Sequence, residues 1–207
     1  MNTKDFSICL RDFEERDIEF IMKCKNDKTL NDMIVGSSHL FTFEDAKKWV
    51  EGCMGNHETY KFWAICTNDE YKRIVGWEGL SNIDKDNSSA CHHGLVIGDN
   101  SYRDGTAMFE SMLLSMDYAF NTLAVHRLYG GCLSTHKTTP AMLNSLGFSL
   151  EGIRRDAVKK NGNYCDLLDY ALLDNEFMQF EKEGQYDIDC LIVSFIDNIR
   201  KRKRINK

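Results

Sequence analysis

The stretch Cys91–Glu110, CHHGLVIGDNSYRDGTAMFE, combines three local patterns that decide how the chain folds. Its pattern predicts a short apolar strand over 94–97, then a polar turn with two glycines, then an amphipathic helix. A helix that begins after such a turn has free backbone N–H groups at the positive end of its dipole, where a phosphate or pyrophosphate can bind. We therefore predict an anion-binding site at the start of this helix. The pair His92 and His93 lies at the other end of the same strand.

The composition indicates a soluble globular protein with room for one domain with a sizeable core, or for one domain plus an appendage. The chain has 207 residues, of which 43% are hydrophobic and 28% charged. The net charge of −6 disfavours nucleic acid as the main partner. Because the N-terminus is charged and no apolar run approaches the ~20 residues of a bilayer span, we expect a cytoplasmic protein with no membrane partner. The eight cysteines lack metal-ligand spacing, which predicts buried thiols and no metal.

The chain before the central stretch predicts antiparallel strands and two helices. Asp17 is expected to cap the first helix, and Thr42 with Asp45 forms a capping-box start for the second. Two strand-like runs, 60–66 and 73–80, are separated by a short polar turn. Together with the strand that follows, they predict a three-stranded antiparallel meander, which disfavours a doubly wound parallel sheet.

The chain after the central stretch predicts a strand, a short helix with Thr139 as its N-cap and Pro140 as its first residue, and a two-stranded hairpin whose turn is Asn161–Gly162. A further helix with one apolar face then leads into a run of basic residues. We therefore divide the chain into a domain over 1–176 and a C-terminal helical extension with a basic tail over 177–207.

Short motifs accompany this order of elements. They are Leu10-Arg11 and Asp17 near the start, then Leu146-Gly-Phe148, Glu151-Gly152, Asn161-Gly162, Tyr164 and Asp166. The order and the motifs together resemble the GNAT superfamily of acyl-CoA N-acyltransferases, and within it the ribosomal-protein N-terminal acetyltransferase subgroup. The resemblance covers about residues 6–176 and implies an α/β (α+β) fold with a mixed, mostly antiparallel central sheet of about seven strands flanked by helices.

The resemblance implies that acetyl-CoA is the co-substrate and that the central stretch binds it. The strand would offer the backbone of Leu95, Val96 and Ile97 to the pantetheine arm, as an added strand does. The family's phosphate loop is Gln or Arg, two residues, Gly, one residue, and Gly or Ala, and this chain has Tyr in the first position. The residues implied for the pyrophosphate are Tyr102, Arg103, Asp104, Gly105, Thr106 and Ala107.

The resemblance also implies a site near the CoA sulfur. His136 and Thr139 stand where the family has an Asn and a Ser, and Leu143 replaces a tyrosine that serves many members as general acid. Thr139 keeps a hydroxyl at this position. This chain therefore lacks the family's tyrosine general acid at position 143.

Acyl transfer to an amine needs a group that accepts the amine proton. Many family members have a glutamate two residues before the glycine that corresponds to Gly94, and His92 stands there. An imidazole titrates near pH 6.5, so it can accept this proton directly or through water. Strand alternation sends His92 and His93 to opposite faces, so only one of them lines the cleft. Glu78, on the adjacent strand, is the other candidate base.

The expected function is an N-acetyltransferase in which a primary amine attacks acetyl-CoA directly, because no cysteine is placed beside a base. A protein N-terminus, an amino sugar and another small amine stay open as acceptors. The alternative is a non-catalytic acyl-CoA-binding or protein-interaction module on the same fold. The oligomeric state also stays open, a homodimer included. Tyr60, Trp63 and Trp77 either line an acceptor pocket or pack in the core.

Overall fold

The computed structural model describes residues 3, 5–35, 40–55 and 57–205. Its centre is a seven-stranded sheet in the order β1-β2-β3-β4-β5-β7-β6. The strands are β1 (Ile8–Arg11), β2 (Lys61–Thr67), β3 (Ile74–Asp84), β4 (Ser89–Ile97), β5 (Arg127–Leu133), β6 (Ser149–Lys160) and β7 (Asn163–Leu173). The helices are α1 (Ile18–Lys25), α2 (Lys28–Met33), α3 (Phe43–Cys53), α4 (Thr106–Asp117), α5 (Thr139–Ser145), α6 (Asp174–Lys182) and α7 (Ile188–Ile205).

The sheet is mixed, and one pair of strands sets it apart from an all-antiparallel sheet. β4 and β5 run parallel, while every other neighbouring pair is antiparallel. A parallel pair needs a crossover, and α4 provides it. The expected fold class and the β2-β3-β4 meander are confirmed.

Helices cover both faces of the sheet and bury a separate apolar core on each. On one face, called here the α4 face, α4, α5 and α7 pack over residues such as Trp63 and Leu128. On the other, called the α3 face, α1 and α3 pack over Trp77 and Val96. Strand side chains alternate between the two faces, so each functional residue of β4 belongs to one face or the other.

The C-terminal helix α7 packs on the α4 face. Leu191 is buried, the Phe195 ring meets Phe109 edge-on with 5.7 Å between centroids, and Asn198 donates a hydrogen bond to the Ser145 hydroxyl at 2.9 Å. The extension therefore contributes to the core of the α4 face. Among the described residues, no helix combines the length and apolar character needed to span a bilayer.

Three local predictions need correction. Asp17 is at the N-cap position of α1, but its side chain makes no capping bond. Its buried carboxylate instead accepts two 2.7 Å hydrogen bonds from Arg11 and one from the Glu14 N–H, because a buried carboxylate needs charged or N–H partners. Thr139 is the first residue of α5, and Thr138 takes the N-cap position without a side-chain hydrogen bond. The thiols are not uniformly buried, since Cys190 is exposed. The capping box of Thr42 and Asp45 is confirmed.

Candidate active site

A gap opens in the middle of the sheet where β4 parts from β5. These strands pair only over Ser89–Cys91 and Arg127–Tyr129. Beyond this point β4 keeps its pairing with β3, and β5 keeps its pairing with β7. Among the described strands, none pairs with the inner edge of β4 after Cys91. Its backbone N–H and C=O groups are therefore available to an extended ligand.

Two glycines shape this gap. Gly94 has a left-handed φ of 68°, and a Cβ there would meet no atom within 4 Å, so β4 kinks beside open space. Gly130 lies at the point where the strands part, where a Cβ would stand 3.1 Å from the His92 carbonyl oxygen. His92 is thus located at the closed end of the gap.

The β4 residues predicted to bind pantetheine follow the kink. Val96 is buried in the core of the α3 face, while Leu95 and Ile97 pack beside Ala107 on the α4 face. Since the side chains pack into the two cores, only backbone groups of this segment point into the gap between β4 and β5. This arrangement suits a ligand that is recognised through main-chain hydrogen bonds.

In the turn after β4, side chains form hydrogen bonds with nearby backbone groups. Arg103 donates from Nε to the Ile97 carbonyl at 2.8 Å and from its terminal nitrogen to the Gly98 carbonyl at 3.2 Å. Gly105 precedes α4 with a φ of 105°, a conformation that favours glycine. The Asp104 carboxylate accepts the Thr106 N–H at 2.9 Å. The Thr106 amide, one of those predicted to bind the pyrophosphate, is thus already hydrogen-bonded to the Asp104 carboxylate.

Glu78 and His92, both predicted as candidate bases, form one buried hydrogen-bonded pair on the α4 face. The His92 Nε2 lies 2.9 Å from Glu78 Oε2, which also accepts the Ser115 hydroxyl at 3.0 Å. Burial raises the pKa of Glu78, and the bonds from His92 and Ser115 oppose this shift. Within the described part of the chain, Glu78 Oε1 is buried without a partner.

This pairing assigns different roles to the two nitrogens of His92. An ionised carboxylate only accepts hydrogen bonds, so an ionised Glu78 places the proton of a neutral His92 on Nε2. Nδ1 is then the nitrogen that can accept a proton. Ser115 was missed at the sequence level because it lies 37 residues from Glu78 in an apolar helix, where nothing marks it as a partner.

His93 lies on the α3 face in a different environment. Its ring meets Phe62 edge-on with 5.7 Å between centroids, and the residue stays open to solvent. Partial burial of the ring lowers the pKa of His93, and the nearby His92 and Lys25 lower it further. His93 is therefore neutral at pH 7.

His136 and Thr139, predicted near the CoA sulfur, contact each other at the start of α5. The His136 Nδ1 accepts the Thr139 N–H at 3.2 Å and lies 2.8 Å from its hydroxyl oxygen. Burial lowers the pKa of His136. The neutral ring accepts at Nδ1, so its proton is on Nε2. Leu143 packs in the core of the α4 face.

Comparison with known proteins identifies the family. The sequence pattern of the acetyltransferase (GNAT) domain matches residues 7–149. The chain belongs to this GNAT acetyltransferase family. A search of curated proteins found similarity to the uncharacterized N-acetyltransferase p20 of Bacillus licheniformis, 31% identical over 108 residues, which are 52% of this chain and 60% of p20.

This GNAT chain is also similar to one further protein in sequence and to one in fold. It is 30% identical over 95 residues to the ribosomal protein uS5-alanine N-acetyltransferase of Escherichia coli, covering 46% of this chain and 48% of the relative. This chain thus spans about half of that relative's length. The spermidine N-acetyltransferase of Vibrio cholerae, solved with CoA and spermine, superimposes with a TM-score of 0.74 at 18% identity over 83% of this chain and 98% of that one. This comparison shows a shared fold.

Proposed function

We propose that this GNAT protein transfers the acetyl group of acetyl-CoA to a primary amine by direct attack. The observation that carries the proposal is the parting of β4 from β5 after three residue pairs, which leaves the inner edge of β4 without a strand partner among the described strands. An extended pantetheine arm would pair with the backbone of 94–97 as a short added strand. Acetyl-CoA is then the co-substrate.

The turn before α4 is proposed to bind the pyrophosphate of CoA. The backbone amides of residues 103–107 lie at the positive end of the 12-residue helix α4. Asp104 is exposed, so its side chain can rotate away and release the Thr106 N–H when the pyrophosphate arrives. Arg103 fixes the turn to the end of β4, and its charge reduces the repulsion between Asp104 and the phosphate.

His92 is proposed to take the proton of the attacking amine, with Glu78 as its positioning residue. The amine nitrogen attacks the thioester carbonyl carbon, the C–N bond forms, the C–S bond breaks, and the amine proton passes to His92 Nδ1 directly or through water. The developing imidazolium is stabilised by Glu78, which contacts Nε2 at 2.9 Å. Such an arrangement of a base with an orienting carboxylate recurs in enzymes that activate nucleophiles.

His136 is proposed to stabilise the departing sulfur. The Thr139 hydroxyl contacts His136 Nδ1, so the free N–H of this pair is on His136 Nε2. A hydrogen bond from Nε2 would neutralise part of the thiolate charge as the C–S bond breaks. Thr139 then acts by holding the ring, and no general acid is needed at Leu143.

The acceptor is proposed to be a small amine. An alkylamine with a pKa of about 10.4 costs roughly 4–5 kcal/mol to deprotonate at pH 7, whereas an α-amino group costs about 1 kcal/mol. A base such as His92 paired with Glu78 therefore accelerates the reaction of an alkylamine more than that of an α-amino group. The fold shared with spermidine N-acetyltransferase supports this choice, and the uS5-alanine relative keeps a protein N-terminus as the competing acceptor.

The second candidate is a non-catalytic acyl-CoA-binding module, which the contact of Asp104 with the Thr106 N–H and the leucine at 143 favour. Thiol release from acetyl-CoA by the full-length protein, measured with a panel of alkylamines and an alanine-initiated peptide, separates the two. Release that depends on the amine, with acetylated product seen by mass spectrometry, supports the transferase. Acetyl-CoA binding by calorimetry without thiol release from any amine would support the binding module.

A further inference from the structure

An aromatic cage surrounds the ammonium group of Lys25 on the α3 face. Its Nζ lies 4.7 Å from the ring centroid of Trp49, 5.3 Å from that of Trp77 and 5.8 Å from that of Phe41. All three distances fall within the range of about 6 Å in which a cation is attracted to an aromatic face. We use the name aromatic cage for these three rings.

Lys25 is held in the cage by the rings and not by an acid. In the described parts of the chain, no carboxylate forms an ion pair with Lys25. The nearby thiols of Cys53 and Cys24 are neutral at pH 7, because burial raises their pKa values to about 12 and about 11. Burial acts against the charge and lowers the pKa of Lys25. A partly buried ammonium that lies over three aromatic rings, with no ion-pair partner among the described carboxylates, indicates that the cage is suited to alkylammonium groups.

The cage is connected to β4 by contiguous rings. Trp77 lies on β3 directly opposite Val96 of β4. Trp49 contacts Phe62 with 6.4 Å between ring centroids, and Phe62 contacts His93 at 5.7 Å. The cage therefore adjoins the strand along which we propose that pantetheine binds. An acceptor whose reacting amine enters the gap can extend toward the cage along this row of rings.

We propose that the aromatic cage binds a second cationic group of the acceptor, and that Lys25 occupies the cage until the acceptor displaces it. The proposal rests on the proposed acetyl transfer for the identity of its ligand as an acceptor. Two ammonium groups repel each other at cage dimensions, so only one can be bound at a time. Lys25 is the last residue of α1, where its long side chain can swing into solvent.

This exchange makes the site selective by charge and shape. An acceptor with one primary amine and a second alkylammonium several bonds away would use both the gap and the cage. An amino sugar or a neutral-tailed monoamine would leave Lys25 in place and gain nothing from the rings. The acceptor class is therefore a dicationic alkylamine.

The ammonium site can be tested without turnover by titrating the full-length protein with tetramethylammonium chloride and following the indole N–H signals by NMR. The chain has three tryptophans, and Trp63 packs on the α4 face against Tyr118, so it is an internal control. We expect the signals of Trp49 and Trp77 to shift and that of Trp63 to stay fixed, with equal sodium chloride as the salt control.

Lys25→Ala, which empties the cage, should tighten tetramethylammonium binding about tenfold or more, while Lys25→Arg keeps a cation in place and should bind as weakly as the wild type. Unchanged affinity in Lys25→Ala, or equal shifts at all three indoles, would overturn the proposal.

An activity measurement then connects the cage to the acceptor. Trp49→Leu should raise KM for an α,ω-diamine about tenfold more than it raises KM for the monoamine of equal length. Thermal unfolding of Trp49→Leu checks that the variant is folded. Indole shifts without acetylation of any amine would support the cage and contradict the acetyl transfer. Acetylation of diamines with no indole shift would contradict the cage alone.

Discussion

His92 and His93 are neighbours in the sequence, yet they lie in chemically different surroundings on the two faces of β4. His92 is largely buried on the α4 face and contacts the Glu78 carboxylate. His93 is open to solvent on the α3 face, with an aromatic ring and the charge of Lys25 nearby. The first surrounding gives His92 a carboxylate partner, and the second lowers the pKa of His93. The partner on the adjacent strand, more than the residue type, therefore distinguishes a proton acceptor from a histidine that lines a pocket.

The largest effect is expected from His92→Ala. Removing a positioned general base typically costs about 10²–10⁴-fold in rate, so kcat for an alkylamine should fall within that range. Thiol release at saturating acetyl-CoA measures it. His93→Ala is the matched control, since it removes the same ring from the other face of the same strand. Equal losses in the two variants would contradict the assignment of His92.

Glu78→Gln is expected to lower kcat about tenfold or more, because the amide keeps the shape but no longer stabilises the imidazolium. Acetyl-CoA binding should stay unchanged, since Glu78 is buried on β3 away from the backbone edge of the gap. Single-turnover thiol release together with calorimetry separates the two quantities. A variant that loses cofactor affinity and keeps its rate would show that Glu78 has a structural role only.

The same substitution should change the pH dependence of stability. The pKa of Glu78 is raised in the folded protein, so its contribution to stability is fully present below the pKa of an unfolded glutamate, about 4.3, and is lost as pH rises through the raised value. Relative to Glu78→Gln, the wild type should therefore lose Tm as the pH rises above the pKa of an unfolded glutamate and through the raised value. Parallel Tm curves for the two proteins over this range would contradict the burial argument.

A smaller effect is expected at the pyrophosphate turn. Asp104→Asn removes a negative charge at the start of α4, where such charges are worth about 0.3–1 kcal/mol, so KM for acetyl-CoA should fall about two- to fivefold. The gain should shrink in high salt. Asp117→Asn, at the other end of the same helix, is the control and should leave KM unchanged. A rise in KM for Asp104→Asn would mean that Asp104 positions the turn.

The smallest effect is expected from His93→Gln. Since His93 faces the row of aromatic rings, we expect KM for a diamine to change by about threefold or less and kcat to change little. Steady-state kinetics with a diamine and a monoamine of equal length check this. A loss of kcat comparable with that of His92→Ala would reverse the roles of the two faces.

Much of the fold could be predicted from local sequence. Alternation and turns predict the β2-β3-β4 meander, and Asn161–Gly162 marks the hairpin turn, where both residues have positive φ. Capping was predicted less well, because Asp17 has a capping residue type but pairs with Arg11, six residues earlier at the end of β1. Which partner such a carboxylate takes depends on its burial, which sequence spacing does not reveal.

The site could be predicted only in part for the same reason. The strand alternation of His92 and His93 was available from sequence, and Glu78 was a candidate by its place on the neighbouring strand. Their direct hydrogen bond depends on register, which aligns His92 with Leu80 and brings it within reach of Glu78. The Lys25 cage joins residues of α1, α3 and β3 with Phe41, and no local pattern connects them.

The most direct test of the account is the pH dependence of kcat/KM for acetylation of an alkylamine by the wild type, His92→Gln and His93→Gln. The account predicts that kcat/KM of the wild type and of His93→Gln has an acidic limb in addition to the pH dependence set by protonation of the amine itself, because the step needs an unprotonated base on the enzyme. It predicts that this limb is absent from the residual activity of His92→Gln. The same limb in His92→Gln, or its loss in His93→Gln, would contradict the assignment of His92 as the proton acceptor.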